Sequence, residues 1–142
     1  MQEWALWALA SAVFAALTAI FAKVGLEGID SNFATFIRTL VIAAALVLFL
    51  TYAKKWQPLG ELSARNWLFL TLSGLATGAS WLAYFNALQM GSASQVAPID
   101  KLSVVLVVVF AVIFLGERPS VREWIGIALI ASGVFTLVFA DK

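Results

Sequence analysis

The segment Ser92–Arg118, SASQVAPIDKLSVVLVVVFAVIFLGER, decides how the rest of the chain is read. It opens as a polar stretch containing Pro98, becomes unbroken apolar sequence from Val104 to Leu115, and stops at Gly116-Glu117-Arg118. A membrane span takes about 20 mostly apolar residues, and residues 93–115 meet that length. Asp100 and Lys101 lie inside the span. An ionised side chain at membrane depth is costly enough that its presence is itself a functional hypothesis. Pro98, two residues earlier, removes one backbone donor and frees a carbonyl one turn back, which a membrane helix tolerates where other polar groups or a water-lined cavity satisfy it.

The whole chain agrees with this reading. Of 142 residues, 63% are hydrophobic and 12% charged, against about 25% charged in an ordinary soluble domain. Mean hydropathy is +0.97. Apolar runs cover residues 4–22, 32–52, 66–88, 93–115 and 124–140. The expected architecture is therefore all-α: an integral membrane bundle of five transmembrane helices, a single membrane domain over residues 1–142. The first run has no cationic flank and no small-residue cleavage site after it, so it reads as a retained span and not as a signal peptide.

The chain contains no Cys and no His. Thiol chemistry, disulfides, imidazole acid–base work and the commoner zinc sites are thereby excluded, and no metal or cofactor is expected. Net charge is +1, which gives no basic patch for nucleic acid. The partners expected are the lipid bilayer and a small-molecule substrate. No enzyme is expected either: the buried acid Asp100 has no nucleophile beside it, and Ser103 has no base in a recognised pattern.

Small and aromatic residues mark the helix faces. Ala5, Ala8, Ala12, Ala15, Ala19 and Ala22 fall on one stripe of the first span, which predicts a packing seam. Gly74 and Gly78 form a GxxxG in the third span, and Gly126 and Gly133 leave a narrow face on the fifth. Trp4, Trp56, Trp67 and Trp124 sit where interface anchors belong. Trp81 lies too deep for that role. Ser63 is a candidate N-cap for the third span, and residues 116–123 read as a tight charged turn.

Spacing alone brings several polar groups to one depth. Spans two and four run in the same direction. Arg38 is six residues past Asn32 and Asp100 six past Ser94, so each lies roughly 9 Å below the start of its helix. Trp81 is seven residues before the end of the intervening span, on the same side. Tyr84 shares a helix face with Trp81. Arg38, Trp81, Tyr84, Asp100 and Lys101 are thus the expected substrate-binding residues. Adjacent side chains on a helix diverge by about 100°, so Asp100 and Lys101 cannot face one partner. The expected arrangement pairs Asp100 with Arg38 and leaves Lys101 over. The surplus cation would favour an anionic or zwitterionic substrate. The alternative is a packing ion pair with Lys101 turned to the interface.

Orientation is weakly specified. Lys54, Lys55, Arg65, Arg118 and Arg122 share the side of the N-terminus, while Lys23 and Lys142 lie on the other. The positive-inside rule predicts the N-terminus inside, with a bias small enough for insertion both ways.

The second half of the chain also resembles a known family. The residues that carry the resemblance are Tyr84, Ala87-Leu88, Gly91, Ala93-Ser94, Ala97-Pro98, then Leu115-Gly116-Glu117-Arg118, then Trp124-Ile125-Gly126, Ala128-Leu129-Ile130 and Gly133-Val134. In this order they resemble the EamA-type family of the drug/metabolite transporter superfamily. The resemblance implies one five-helix half of an inverted-repeat transporter, working as a homodimer (antiparallel) or as a heterodimer with a second half in the cell (inner) membrane. It implies export of a small polar metabolite by alternating access. Gly116 and Glu117 carry over as the family's turn; the roles given to Arg38, Asp100 and Lys101 rest on charge and depth alone. Two other readings stay open: a flippase half for a lipid-linked substrate, and a non-transporting accessory subunit.

Overall fold

A computed structural model describes residues 3–139. The end of the fifth expected span at Ala140, and Lys142 of the charge bias, lie outside the described residues. The described residues are helical throughout, with no strand. Five stretches are long and apolar enough to cross a membrane: Glu3–Gly25, Ser31–Ala53, Ala64–Met90, Ala93–Leu115 and Val121–Val138. The first three are α1, α2 and α3. The fourth is made of α4 (Ala93–Asp100), α5 (Leu102–Phe110) and a wide π turn (Ala111–Leu115), and the fifth is α6.

The chain divides into two compact units, one of Ile20–Met90 and one of the residues before and after it. In the first, α2 packs along α3. In the second, α4 and α5 both pack on α6. Large apolar side chains such as Phe14, Leu48, Leu75 and Phe114 point outward. That inversion is expected where lipid, as apolar as leucine, is the solvent.

Local chemistry sets each boundary. Asp30 caps α2: its carboxylate accepts from the backbone N–H groups of Asn32 and Phe33 at 2.9 and 3.0 Å. At the other end, Lys54 takes the left-handed conformation at φ +52°. Its N–H and that of Lys55 close back on Thr51 and Leu50 carbonyls, a paired closure that satisfies the last orphan acceptors. Ser63 caps α3 as expected, accepting from Asn66 N–H at 3.1 Å.

The fourth span departs from the continuous helix expected of it. Its α-helix ends at Asp100 and restarts at Leu102. Pro98 supplies no N–H, so the ladder is already interrupted, and the chain crosses Lys101 through three-residue closures: Lys101 N–H to Pro98 O and Val104 N–H to Lys101 O, both 3.0 Å. At the far end the N–H of Glu117 reaches back to Ala111 O. Gly116 lies at φ +68° with open space around it. Glycine is needed there for its backbone angle and not for room.

The fifth helix starts three residues earlier than the expected 124, so Arg122 and Glu123 are helical and not part of the turn. The reason is a capping box: Ser120 Oγ accepts from Glu123 N–H, and the Glu123 carboxylate accepts from Ser120 N–H. Ser120→Ala should cost about 1 kcal/mol of stability. It should also speed amide exchange in the first turn of α6; unchanged exchange there would show the cap to be idle.

The small-residue faces are covered unevenly in the isolated chain. Ala19 and Ala22 are buried, but Ala8, Ala12 and Ala15 of the same stripe are exposed. A Cβ added at Gly74, Gly78, Gly126 or Gly133 would meet nothing within 4 Å.

Candidate functional site

Within the unit Ile20–Met90, Arg38 is the central polar group. It projects from α2 onto two aromatic rings one turn apart on α3. Its guanidinium carbon lies 4.3 Å from the centre of the Phe85 ring and 5.3 Å from that of Trp81. Both distances are within cation–π range. Phe85 is 1% exposed and meets Tyr84 edge-on, with ring centres 6.0 Å apart. Arg38 and Trp81 thus meet on one helix pair, at the common depth their spacing predicted, and Tyr84 stands beside them on α3. Trp81 is half-buried under the cation, whereas Trp4, Trp56, Trp67 and Trp124 are exposed. The Nη1 atom of Arg38 is buried and has no hydrogen-bond partner among the described residues.

Beside Arg38 a ladder of hydroxyls climbs α2. Thr39 Oγ1 donates to Thr35 O and Thr35 Oγ1 to Ser31 O, both at 2.8 Å. The ladder leads to a polar knot that joins the ends of three helices. Ser31, fully buried, donates through Oγ to Asn86 Oδ1 at 3.0 Å. Asn86 Nδ2 donates to Asn32 Oδ1 at 3.1 Å and to Leu82 O at 2.7 Å. Gln89 Nε2 donates to Ile29 O at 2.9 Å. Lys23 Nζ donates to Leu88 O at 2.6 Å. Lys23 therefore serves a carbonyl in the last turn of α3.

Sequence reasoning overlooked Phe85, Ser31, Asn32 and Asn86. The signal was present: Phe85 stands four residues after Trp81, and Asn86 is an amide in the last two turns of a span whose end lies on the same side as the start of α2.

In the other unit, Asp100 and Lys101 flank the break in the fourth span. Lys101 Nζ lies 3.4 Å from Asp100 Oδ2, with side-chain exposures of 53% and 36%. The expectation that adjacent side chains diverge holds for a regular helix. Here the α-helix stops between them, and the flexible lysine stem folds back onto its neighbour. Asp100 is thus paired with Lys101, and among the described residues the buried side-chain donor without a partner is Arg38 Nη1.

Comparison with known proteins places these features in context. The family model described as EamA-like transporter family matches residues 2–139. The chain is 56% identical over 136 residues to a Sinorhizobium sp protein named "Uncharacterized transporter in cobO 3'region", covering 96% of each chain. It is 28% identical over 135 residues to "Uncharacterized transporter YxxF" of Bacillus subtilis (strain 168), covering 94% of this chain but 42% of that one. No solved structure matches.

Proposed function

The chain belongs to the EamA-like transporter family, and from that premise we propose that it exports a small polar metabolite by alternating access. The observation that carries the reading is the polar apparatus placed inside apolar spans. Arg38 has an unsatisfied buried donor over Trp81 and Phe85. The fourth span is broken at a charged pair. Discontinuous helices with polar groups at the break recur where transporters hold their substrates. The proposed substrate-binding residues are Arg38, Trp81 and Tyr84 of α2 and α3, with Asp100 and Lys101 at the break.

The working unit proposed is a dimer of five-helix halves, either a homodimer with the two copies inserted in opposite directions or a heterodimer with a second half. The Bacillus relative, of which the chain spans 42%, is long enough for two such sets, which supports the pairing. The weak charge bias supports opposite insertion.

Release of metabolites tests the function. Liposomes loaded with a polar metabolite extract and carrying the purified chain alone should lose particular compounds, identified by mass spectrometry, that protein-free vesicles retain. Retention of every compound would count against a self-sufficient transporter. Topology tests the dimer. The chain has no Cys, so single cysteines at Gly60 and Phe139 can be labelled on intact cells without background. Partial outside labelling at both positions is the expected result; outside labelling at one position alone would exclude the antiparallel homodimer.

A further inference from the structure

We propose that Arg38 is the seat of a monovalent oxyanion, a carboxylate or a phosphodiester, that inserts against α2 and α3. The inference rests on reading Arg38 as a substrate-binding residue and names the chemical class that the residue selects.

Arg38 stands seven residues into α2, roughly 10 Å along the helix. Two ring faces attract it, at 4.3 and 5.3 Å, but rings offer no lone pair along the N–H axis. Nη1 is buried with no hydrogen-bond partner. A buried donor left unsatisfied is among the more expensive features a fold can retain, and more so on a charged group. Carboxylates of the same unit do not meet the need. The acids between Ile20 and Met90 are Glu27, Asp30 and Glu61. Asp30 is committed to the α2 cap, Glu27 lies in the loop before it, and Glu61 lies in the connection at the far end of α2. Asp100, on the other unit, is paired with Lys101. The neighbouring hydroxyls of Thr35 and Thr39 already donate to backbone carbonyls.

Charge balance then selects the ligand. One guanidinium is neutralised by one negative charge. A dianion would leave a net negative charge in the membrane, and a zwitterion would bring an ammonium for which neither α2 nor α3, the helices flanking Arg38, carries a carboxylate. The planar fork of arginine matches a two-oxygen head such as a carboxylate or a phosphodiester, while the rings of Trp81 and Phe85 exclude water from the back of the cation.

The test uses the full chain in dodecyl maltoside, a micelle without anions, with tryptophan emission as the reporter because Trp81 lies under the guanidinium. Acetate, butyrate and benzoate are titrated, with succinate and phenylalanine as the dianion and zwitterion controls. Phosphatidylglycerol is added in a separate arm. At least one monocarboxylate, or phosphatidylglycerol, should give a saturable change. Arg38→Lys should weaken it about tenfold and Arg38→Gln about a hundredfold. A response to carboxylates assigns a soluble anion; a response confined to phosphatidylglycerol assigns a lipid headgroup. Arg38→Gln removes an unsatisfied charge and should keep its helical circular dichroism, which excludes unfolding as the cause. No saturable change with any probe, equal responses in Arg38→Gln, or stronger binding of succinate or phenylalanine would overturn the proposal. Metabolite release that persists without any Arg38-dependent anion response overturns it while transport stands. An Arg38-dependent response without release leaves the anion seat standing and removes the transport reading.

Discussion

Asp100→Asn should lower the free energy of unfolding in mild detergent by about 2–3 kcal/mol, and adding Lys101→Gln should restore most of that loss. The pair sits seven to eight residues into the fourth span, roughly 10 Å from its start. Lys101 Nζ lies 3.4 Å from Asp100 Oδ2. Removing the carboxylate leaves an ammonium inside an apolar span, which insertion scales put at about 2.5–3.5 kcal/mol. The lysine stem can carry part of its charge toward the interface, so an effect somewhat below that range, about 2–3 kcal/mol, is expected. The competing effect is solvation. An ion pair in water contributes about 0.2–1 kcal/mol, and the side chains are 53% and 36% exposed in the isolated chain. Unfolding by sodium dodecyl sulfate, followed by circular dichroism, separates the two. If single and double variants unfold alike, the pair stands in water, and its neutralisation matters for substrate and not for stability.

Phe85→Ala should destabilise the chain by about 2–4 kcal/mol, somewhat less than the roughly 3–5 kcal/mol seen for buried aromatics in soluble proteins. Phe85 is 1% exposed and lies between α2 and α3. Lipid is as apolar as the residues lost, so the transfer part of the usual penalty shrinks. The cavity part remains, because helices in a membrane are held by packing. Phe85 also carries the nearer ring under Arg38, at 4.3 Å. Arg38→Leu should therefore recover part of the loss in the Phe85→Ala background, since it removes the cation that the ring supported. Phe114→Ala is the control: that side chain is 76% exposed and should unfold close to wild type. Equal effects of Phe85→Ala and Phe114→Ala would mean that α2 and α3 do not pack through Phe85.

Several features were legible because they depend on length or on nearest neighbours in the chain. The spans follow from runs of apolar residues. The Ser63 cap follows from side-chain reach over three residues. The start of α6 was not legible in the same way. Arg122 and Glu123 look like turn residues until Ser120 and Glu123 are seen to cap each other. The alanine stripe and the GxxxG identified faces narrow enough for a neighbour. They did not tell whether that neighbour lies in the same chain, and Gly74 and Gly78 have open space beside them.

By itself the sequence determined the class of the molecule: five apolar spans, charges at depth in two of them, and the shared depth of Arg38 and Trp81. These are one-dimensional properties, set by the rise of a helix and the thickness of a bilayer. Tertiary structure decided which charge is satisfied by what. Partner choice depends on rotation about the helix axis, on where a helix breaks, and on the reach of a flexible side chain. The break at Lys101 let that residue fold back on Asp100, and the register of α2 against α3 set Arg38 over Phe85 with one buried donor still unsatisfied.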